Sequence, residues 1–342
     1  MTTAVINGAF RPQRVTGQQR YAREIADRLI RDYGVDELSI SSAAGPLSAW
    51  LQSQTLSFRN RDPEAVLLTL TSRGPIWARR QVIVVHDLFV LTNPEWFSRK
   101  YSITHAPVLR AQMASAAAIV TVSPVVAEQV SGLVGRSKRV VVAPNAPADE
   151  FLRATPAASV KVPSEVGERP FMLCVGSMDP RKNLRLLIDA YAGLPVSVRK
   201  EVRLVLVGAK SGNFSSAATA SGTDPEGVIR LGYVSDVELA TLYRAAEVVL
   251  FPSLAEGFGL PIVEALGVGA RVIASDIPVF RWVGGDMVTF VDPHSEKGWR
   301  TAMQRIADGG GHVCEGPHRR ELAGRFSWDA SAARIMDLVT GL

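Results

Sequence analysis

The segment EVVLFPSLAEGFGLPIVEALGVGA (residues 247–270) joins three signals without a break. Val248 to Phe251 form a short continuous apolar run, the pattern of a strand buried on both faces of a parallel sheet. Gly257 and Gly259 then flank Phe258, and Leu260–Pro261 opens a second apolar run. Proline suits the start of a helix, where its missing N–H has no partner to lose. Strand, glycine loop and helix make the repeating unit of a doubly wound α/β fold. Within this apolar setting stand two carboxylates eight residues apart, Glu256 and Glu264.

The alternation extends in both directions. Apolar runs at 2–8, 65–70, 81–87, 118–123 and 139–144 are separated by helical patterns such as GQQRYAREIADRLI (17–30). A Pro- and Ala-rich passage at 152–170 has no clean period and reads as a linker. Strand-like runs then resume at 171–176, 202–208, 227–234, 247–253, 270–275 and 287–292. Two doubly wound units facing each other are expected, with ligands outside the carboxyl ends of their strands.

Composition narrows the class. At 342 residues, with 47% hydrophobic and 21% charged, the chain has the make-up of a soluble globular protein. Without an apolar run of about 18 residues, no membrane span is expected. MTTAVINGAF lacks the basic start and long apolar segment of a secretory signal. Two cysteines, Cys174 and Cys314, make no disulfide framework and lack metal-ligand neighbours, so a reduced cytoplasmic setting is the default. The net charge of +5 is scattered in short clusters such as RKN (181–183) and HRR (318–320). No basic stripe interleaves with aromatics, which argues against a nucleic-acid partner. An anionic substrate, or peripheral contact with an anionic membrane, fits the charge better.

Four constellations carry chemistry. In the opening segment, the Gly257–Phe258–Gly259–Leu260 backbone leads into a helix N-terminus, an arrangement that binds phosphate. Glu264, among apolar neighbours, needs hydrogen bonds, which paired ribose hydroxyls supply; Glu256 lies where a sugar on that phosphate reaches it. The plainer reading makes Glu264 a complement to the helix dipole and Glu256 a loop acid. In FMLCVGSMDPRKNLRLLIDAY (171–191), Arg181 and Lys182 fall between a strand end and a helix start. Cations there oppose the dipole, and a diphosphate removes the conflict; a solvated basic turn is the alternative. His86 follows a buried strand and is read either as a contact to acceptor or transferred sugar or as a histidine hydrogen-bonded in its loop. Gly17, between the first strand and the first helix, is either a turn or a site of close substrate approach. Ser235 to Glu238 reads as a capping box. No Gly-x-Gly-x-x-Gly follows the first strand, GAKS (208–211) lacks Walker spacing, and no Asp-x-Asp occurs.

These motifs resemble glycosyltransferase family 4, a retaining group with the two-domain GT-B fold. The likeness covers nearly the whole chain, through TGQQRYAREI, VVHDLFVL, TVSPVVAEQV, VAPNAPADEF, VGSMDPRKNL, LFPSLAEGFGLPIVEAL and FSWDASAARIMDLV. It implies an acceptor-side Rossmann-like domain at 1–160, a nucleotide-sugar domain at 161–326, a central cleft, and a helix at 327–342 crossing back to the first domain. It further implies that Glu264 holds the ribose, that Glu256 lies near the donor sugar, and that Arg181, Lys182 and the Gly257–Gly259 amides neutralise the diphosphate. By the same resemblance Gly232, Tyr233 and Val234 would border the base, and His86 and Gly17 would face sugar and acceptor. The chain departs from the pattern at Ser177, where many relatives carry arginine, so Arg181 is taken to substitute. Asn145-Ala146 replaces the usual Asn-Gly, and Arg271 and Trp282 replace common Pro and Glu. The implied activity is metal-independent, retaining hexosyl transfer from a nucleotide-diphosphate sugar, GDP-mannose first, to a saccharide or lipid-linked saccharide. No cofactor is implied beyond that co-substrate. A sugar-nucleotide epimerase on the same fold and a non-catalytic sugar-nucleotide-binding protein are the alternatives.

Overall fold

Twelve strands among the described residues fall into two all-parallel sheets of six. The computed structural model describes residues 3–13, 15–39, 52, 54–55, 64–71, 74–76, 78, 80–152, 162–208, 224–310 and 324–342. The linker core at 153–161, the loop at 211–222, and Cys314, His312 and His318 lie outside them. The chain divides into two compact units. One comprises Met1–Pro94, Arg99–Asn145 and Phe326–Leu342, the other Glu95–Ser98 and Ala146–Arg325.

The first unit carries β1 (Ala4–Asn7), β2 (Asp36–Leu38), β3 (Val66–Thr69), β4 (Gln81–Val85), β5 (Ala118–Thr121) and β6 (Arg139–Val142), ordered β2-β1-β3-β4-β5-β6. β3, β4 and β5 are buried throughout, as continuous apolar runs covered on both faces should be. The helix Gly17–Tyr33 buries Tyr21, Ala22, Ile25, Ala26 and Leu29, one stripe at helical spacing, and stops at left-handed Gly34. The helix Trp328–Thr340 packs on it, burying Trp328, Ile335 and Leu338, and Ser331 Oγ donates to the Pro144 carbonyl at 2.7 Å.

The second unit carries β7 (Phe171–Val175), β8 (Arg203–Val207), β9 (Val228–Gly232), β10 (Val248–Phe251), β11 (Val272–Ser275) and β12 (Thr289–Val291), ordered β12-β11-β10-β7-β8-β9. The first three strands run outward from β7 to one side. The chain then returns to pair β10 with the other side of β7, in the register Val248–Met172 to Leu250–Cys174. Between β7 and β10 the winding reverses, and there the crevice of such a sheet opens. One face of the sheet is sealed by Tyr191, Trp299, Met303 and Ile306 over Met172, Cys174, Leu204 and Leu250. Burial pushes the Cys174 thiol up to about 12, so it stays protonated and inert.

Candidate active site

β7 and β10 are neighbours in the sheet though far apart in sequence, and their carboxyl-end loops meet. After β7 the chain passes Gly176 and Ser177 and makes a 3-10 turn, Pro180–Lys182. It then turns through Asn183, whose φ of 53° makes it the one non-glycine residue with positive φ among the described residues. The helix Leu184–Ala192 comes next. After β10, residues Pro252 to Gly259 form the loop that enters the helix Leu260–Gly267. The Leu254 amide donates to the Arg181 carbonyl at 2.7 Å. Lys182 Nζ forms an ion pair with Glu256 Oε1, and the Ser253 hydroxyl donates to that same oxygen at 3.0 Å. Both partners are largely buried, at 12% and 11% side-chain exposure, so water screens the pair weakly. The Lys182 stem lies across Gly176, where a Cβ would come within 3.2 Å of Lys182 Cδ and Cε.

Asp179, which is not among the residues singled out from the sequence, organises the basic turn. Its side chain is fully buried. Its carboxylate accepts from the Arg181 amide at 3.1 Å, from Arg181 Nε at 3.0 Å and Nη2 at 3.3 Å, and from the Ser177 hydroxyl at 2.5 Å. Burial opposes its ionisation, but the charges of Arg181 and Lys182 and these hydrogen bonds outweigh it and hold the carboxyl below its ordinary range. An acid directly before Pro-Arg-Lys is the available signal, since Asp caps short turns. The two cations are thus matched by Asp179 and Glu256 within the protein, which softens the helix-dipole conflict expected from the sequence.

Glu264 is 4% exposed, between Val263 and Ala265 in the helix Leu260–Gly267, and the Tyr243 hydroxyl lies 3.5 Å from its Oε2. Of the two loop glycines, Gly259 has φ of 95°, and a Cβ there would press within 2.9 Å of Phe280. Gly257 is not among the positive-φ glycines. Phe258 is buried against Trp282, ring centroids 5.9 Å apart.

From β7 outward, Gly176 and Gly208 directly follow β7 and β8, and β9 ends on Gly232. Gly176 N donates to Val207 O at 2.9 Å and Gly208 N to Gly232 O at 2.7 Å. A Cβ on Gly208, at φ 147°, would fall 1.8 Å from the Gly176 carbonyl oxygen. No side chain fits there, so the strand ends close to a flat backbone ledge. In sequence, Gly208 is visible only as a strand terminator. Beyond Gly232 (φ 71°), Tyr233 is 68% exposed and Val234 half-buried. The capping box comes next, with the Ser235 hydroxyl accepting from the Glu238 amide.

In the first unit, Gly17 opens the long helix; among the described residues, none outside its chain neighbours and its own helix backbone comes within 4 Å of where a Cβ would stand. His86 lies just past β4 and is 9% exposed, its Nε2 3.0 Å from the Leu70 carbonyl and its ring edge-on to Tyr21 at 5.0 Å. Burial lowers its pKa to about 4, so the ring is neutral at physiological pH.

Comparison with known proteins agrees with this architecture. The family described as glycosyl transferases group 1 matches residues 158–321, nearly all of the second unit. The O-antigen chain mannosyltransferase B of Escherichia coli is 27% identical over 356 residues, spanning 92% of this chain and 93% of that one. The serotype-specific mannosyltransferase WbdA of Escherichia coli is 27% identical over 298 residues, spanning 84% of this chain but only 36% of that longer one. In structure, HepE of Anabaena in complex with UDP-glucose superposes with a TM-score of 0.74 at 15% identity, covering 100% of both chains. Over residues 158–321 the chain is thus similar to the group 1 glycosyltransferases, and its two parallel six-stranded sheets are those of the GT-B fold.

Proposed function

We propose that the protein transfers a hexose, with retention of anomeric configuration, from a nucleotide-diphosphate sugar to a hydroxyl of a saccharide or lipid-linked saccharide. GDP-mannose is the first donor to test, because the relatives matched over more than four fifths of this chain are named mannosyltransferases. The reaction belongs to cell-surface polysaccharide assembly, at the cytoplasmic face of a membrane the protein contacts peripherally. No helix among the described residues is long and apolar enough to cross one.

One observation carries this reading: the loops after β7 and β10 meet at the winding reversal, tied by the Lys182–Glu256 pair and the Leu254–Arg181 backbone bond. A diphosphate leaving group gathers negative charge as the sugar–phosphate bond breaks. Lys182, Arg181 and the amides entering the helix Leu260–Gly267 are positioned before that charge appears, the condition under which electrostatics lowers a barrier most. These groups supply the neutralisation, so the chemistry calls for no metal. Glu256, released by Lys182 to the sugar side, and Glu264, with Tyr243, take the hydroxyls of hexose and ribose. Gly232, Tyr233 and Val234 border the base on the exposed end of β9. Ser177 belongs to the phosphate side through its bond to Asp179. Gly17 and His86 serve the sugar and acceptor, His86 as a neutral hydrogen-bonding group rather than a proton donor.

A panel of nucleotides and nucleotide sugars tests it, first by thermal shift and then by nucleotide release with and without mannose-terminated acceptors. A ligand at about 100 times its Kd adds about 2.7 kcal/mol of stability, a readily seen shift. Acceptor-dependent GDP release is expected. Release of no nucleotide from any donor, with any acceptor, would end the proposal.

A further inference from the structure

The basic turn contains a buried anion that a simple turn does not need. A cap uses one carboxylate oxygen and one backbone amide. Asp179 uses both oxygens and binds three further groups, the Arg181 Nε and Nη2 and the Ser177 hydroxyl. Two-point engagement of a guanidinium fixes its plane as well as its position. Lys182, one residue on, reaches instead to Glu256 on the neighbouring loop. The two adjacent cations therefore project from the turn in different directions, each held by its own carboxylate.

We propose that Asp179 is a positioning residue for the donor site: it sets the Arg181 guanidinium and the Ser177 hydroxyl as a fixed pair facing the diphosphate, and its charge is what sets them. The inference rests on the diphosphate reading of this site and extends it to a residue that does not itself touch the donor. Burying a carboxylate is costly unless it is fully paired, and these four hydrogen bonds all come from within the short segment Ser177 to Arg181. The arrangement is local, so it is complete before any ligand arrives. It also explains how serine serves at position 177: the side chain there orders the turn through Asp179 rather than supplying a cation.

The test is Asp179→Asn. Asparagine caps as well as aspartate and retains one acceptor, but it presents an amide to the Arg181 and Ser177 donors. A displaced catalytic group costs up to about a hundredfold in rate. The expected outcome is a fall of about tenfold to a hundredfold in kcat with an unchanged KM for acceptor, and inorganic pyrophosphate bound about tenfold more weakly by calorimetry. In an Arg181→Gln background the same change should cost clearly less, because the charged group it positions is gone and only Ser177 remains. Wild-type kcat in Asp179→Asn, or a loss that persists in full beside Arg181→Gln, overturns the inference. If Asp179→Asn does not fold, Arg181→Lys keeps the charge and loses the planar fork; it must show the same drop in kcat, and a wild-type rate overturns the inference equally. A wild-type protein that neither turns over a sugar nucleotide nor binds pyrophosphate brings down the diphosphate reading itself, whereas an active wild type with indifferent variants brings down only the role of Asp179.

Discussion

The carboxyl edges of the two sheets are built from different materials. In the second unit the edge is charged and glycine-rich: Asp179, Arg181, Lys182 and Glu256 stand beside a ledge of Gly176, Gly208 and Gly232. In the first unit the edge is packed and, among the described residues, mostly neutral, its charges being Asp87 after His86 and the Arg11–Glu37 pair beside β1 and β2. Asn7, Thr69, Thr121, Ser123 and Asn145 are all buried near strand ends, and His86 joins them as an uncharged ring. Both sheets obey the same winding rule, so topology does not cause the difference. Side chains at the strand ends do. A charged edge with bare backbone suits an anion; a neutral polar edge suits hydroxyls, which need hydrogen bonds and no counter-charge.

The largest expected effect tests the ledge. Gly208→Ala puts a Cβ 1.8 Å from a carbonyl oxygen at a φ of 147°. Backbone strain and overpacking together should cost about 3–5 kcal/mol. Urea unfolding of the purified variant measures it. A loss below about 1 kcal/mol would mean that the strand ends are looser than a tight ledge requires.

Next is Lys182→Ala. Loss of one preorganised contact to the leaving group should lower kcat/KM by about 10²–10³-fold. The variant also strands Glu256 with little water around it, and should lose about 1–3 kcal/mol of stability. The double variant Lys182→Ala/Glu256→Gln separates these effects: stability should return and turnover should not. If both return, the ion pair is structural and the charged edge has no leaving-group role in this lysine.

The neutral edge makes its own prediction through His86. Its folded pKa, about 4, lies below the ordinary histidine value of 6.5, so the unfolded chain takes up a proton first as the solution is acidified. Stability associated with neutral His86 is therefore complete above about pH 6.5 and is lost as the pH falls towards 4, by about 1–3 kcal/mol. Denaturant midpoints at about pH 7 and about pH 4.5, on either side of most of that window, measure the difference for the wild type and His86→Gln. The wild type should lose more than the variant; equal losses would remove His86 from the acid sensitivity.

Much of this is legible in the sequence. Each of the apolar runs read as strands contains one: the interior strands are apolar because they are covered on both faces, while β6, β9 and β12 keep an apolar run though only partly buried at sheet edges. The strand without such a run, β2, is the three residues Asp36–Leu38, two of them acidic, at a sheet edge where burial imposes no pattern. The residues of the charged edge are visible because cations and carboxylates are conspicuous beside apolar strands. Their pairing is not, since Lys182 and Glu256 meet only once β10 has crossed back to β7. Asp179 is hidden differently: it looks like turn chemistry, and only its four hydrogen bonds distinguish it from an ordinary cap.

The smallest effect on stability is expected at Gly17, the counterpart of Gly208 on the other edge. Both glycines lie in the stretch that leads out of a strand, yet a Cβ at Gly17 meets none of the described residues beyond its neighbours and its own helix within 4 Å, and its φ is not positive. Gly17→Ala should leave the unfolding midpoint unchanged or raise it slightly, since alanine restricts the unfolded chain and suits a helix better by about 0.5–1 kcal/mol. A ligand approaching the start of the helix Gly17–Tyr33 is the use such an open position would then have. A loss of about tenfold or more in kcat/KM at full stability would assign that space to sugar or acceptor. Unchanged kinetics would make Gly17 a helix start and nothing more, and the functional weight of the neutral edge would shift to His86 and its polar neighbours.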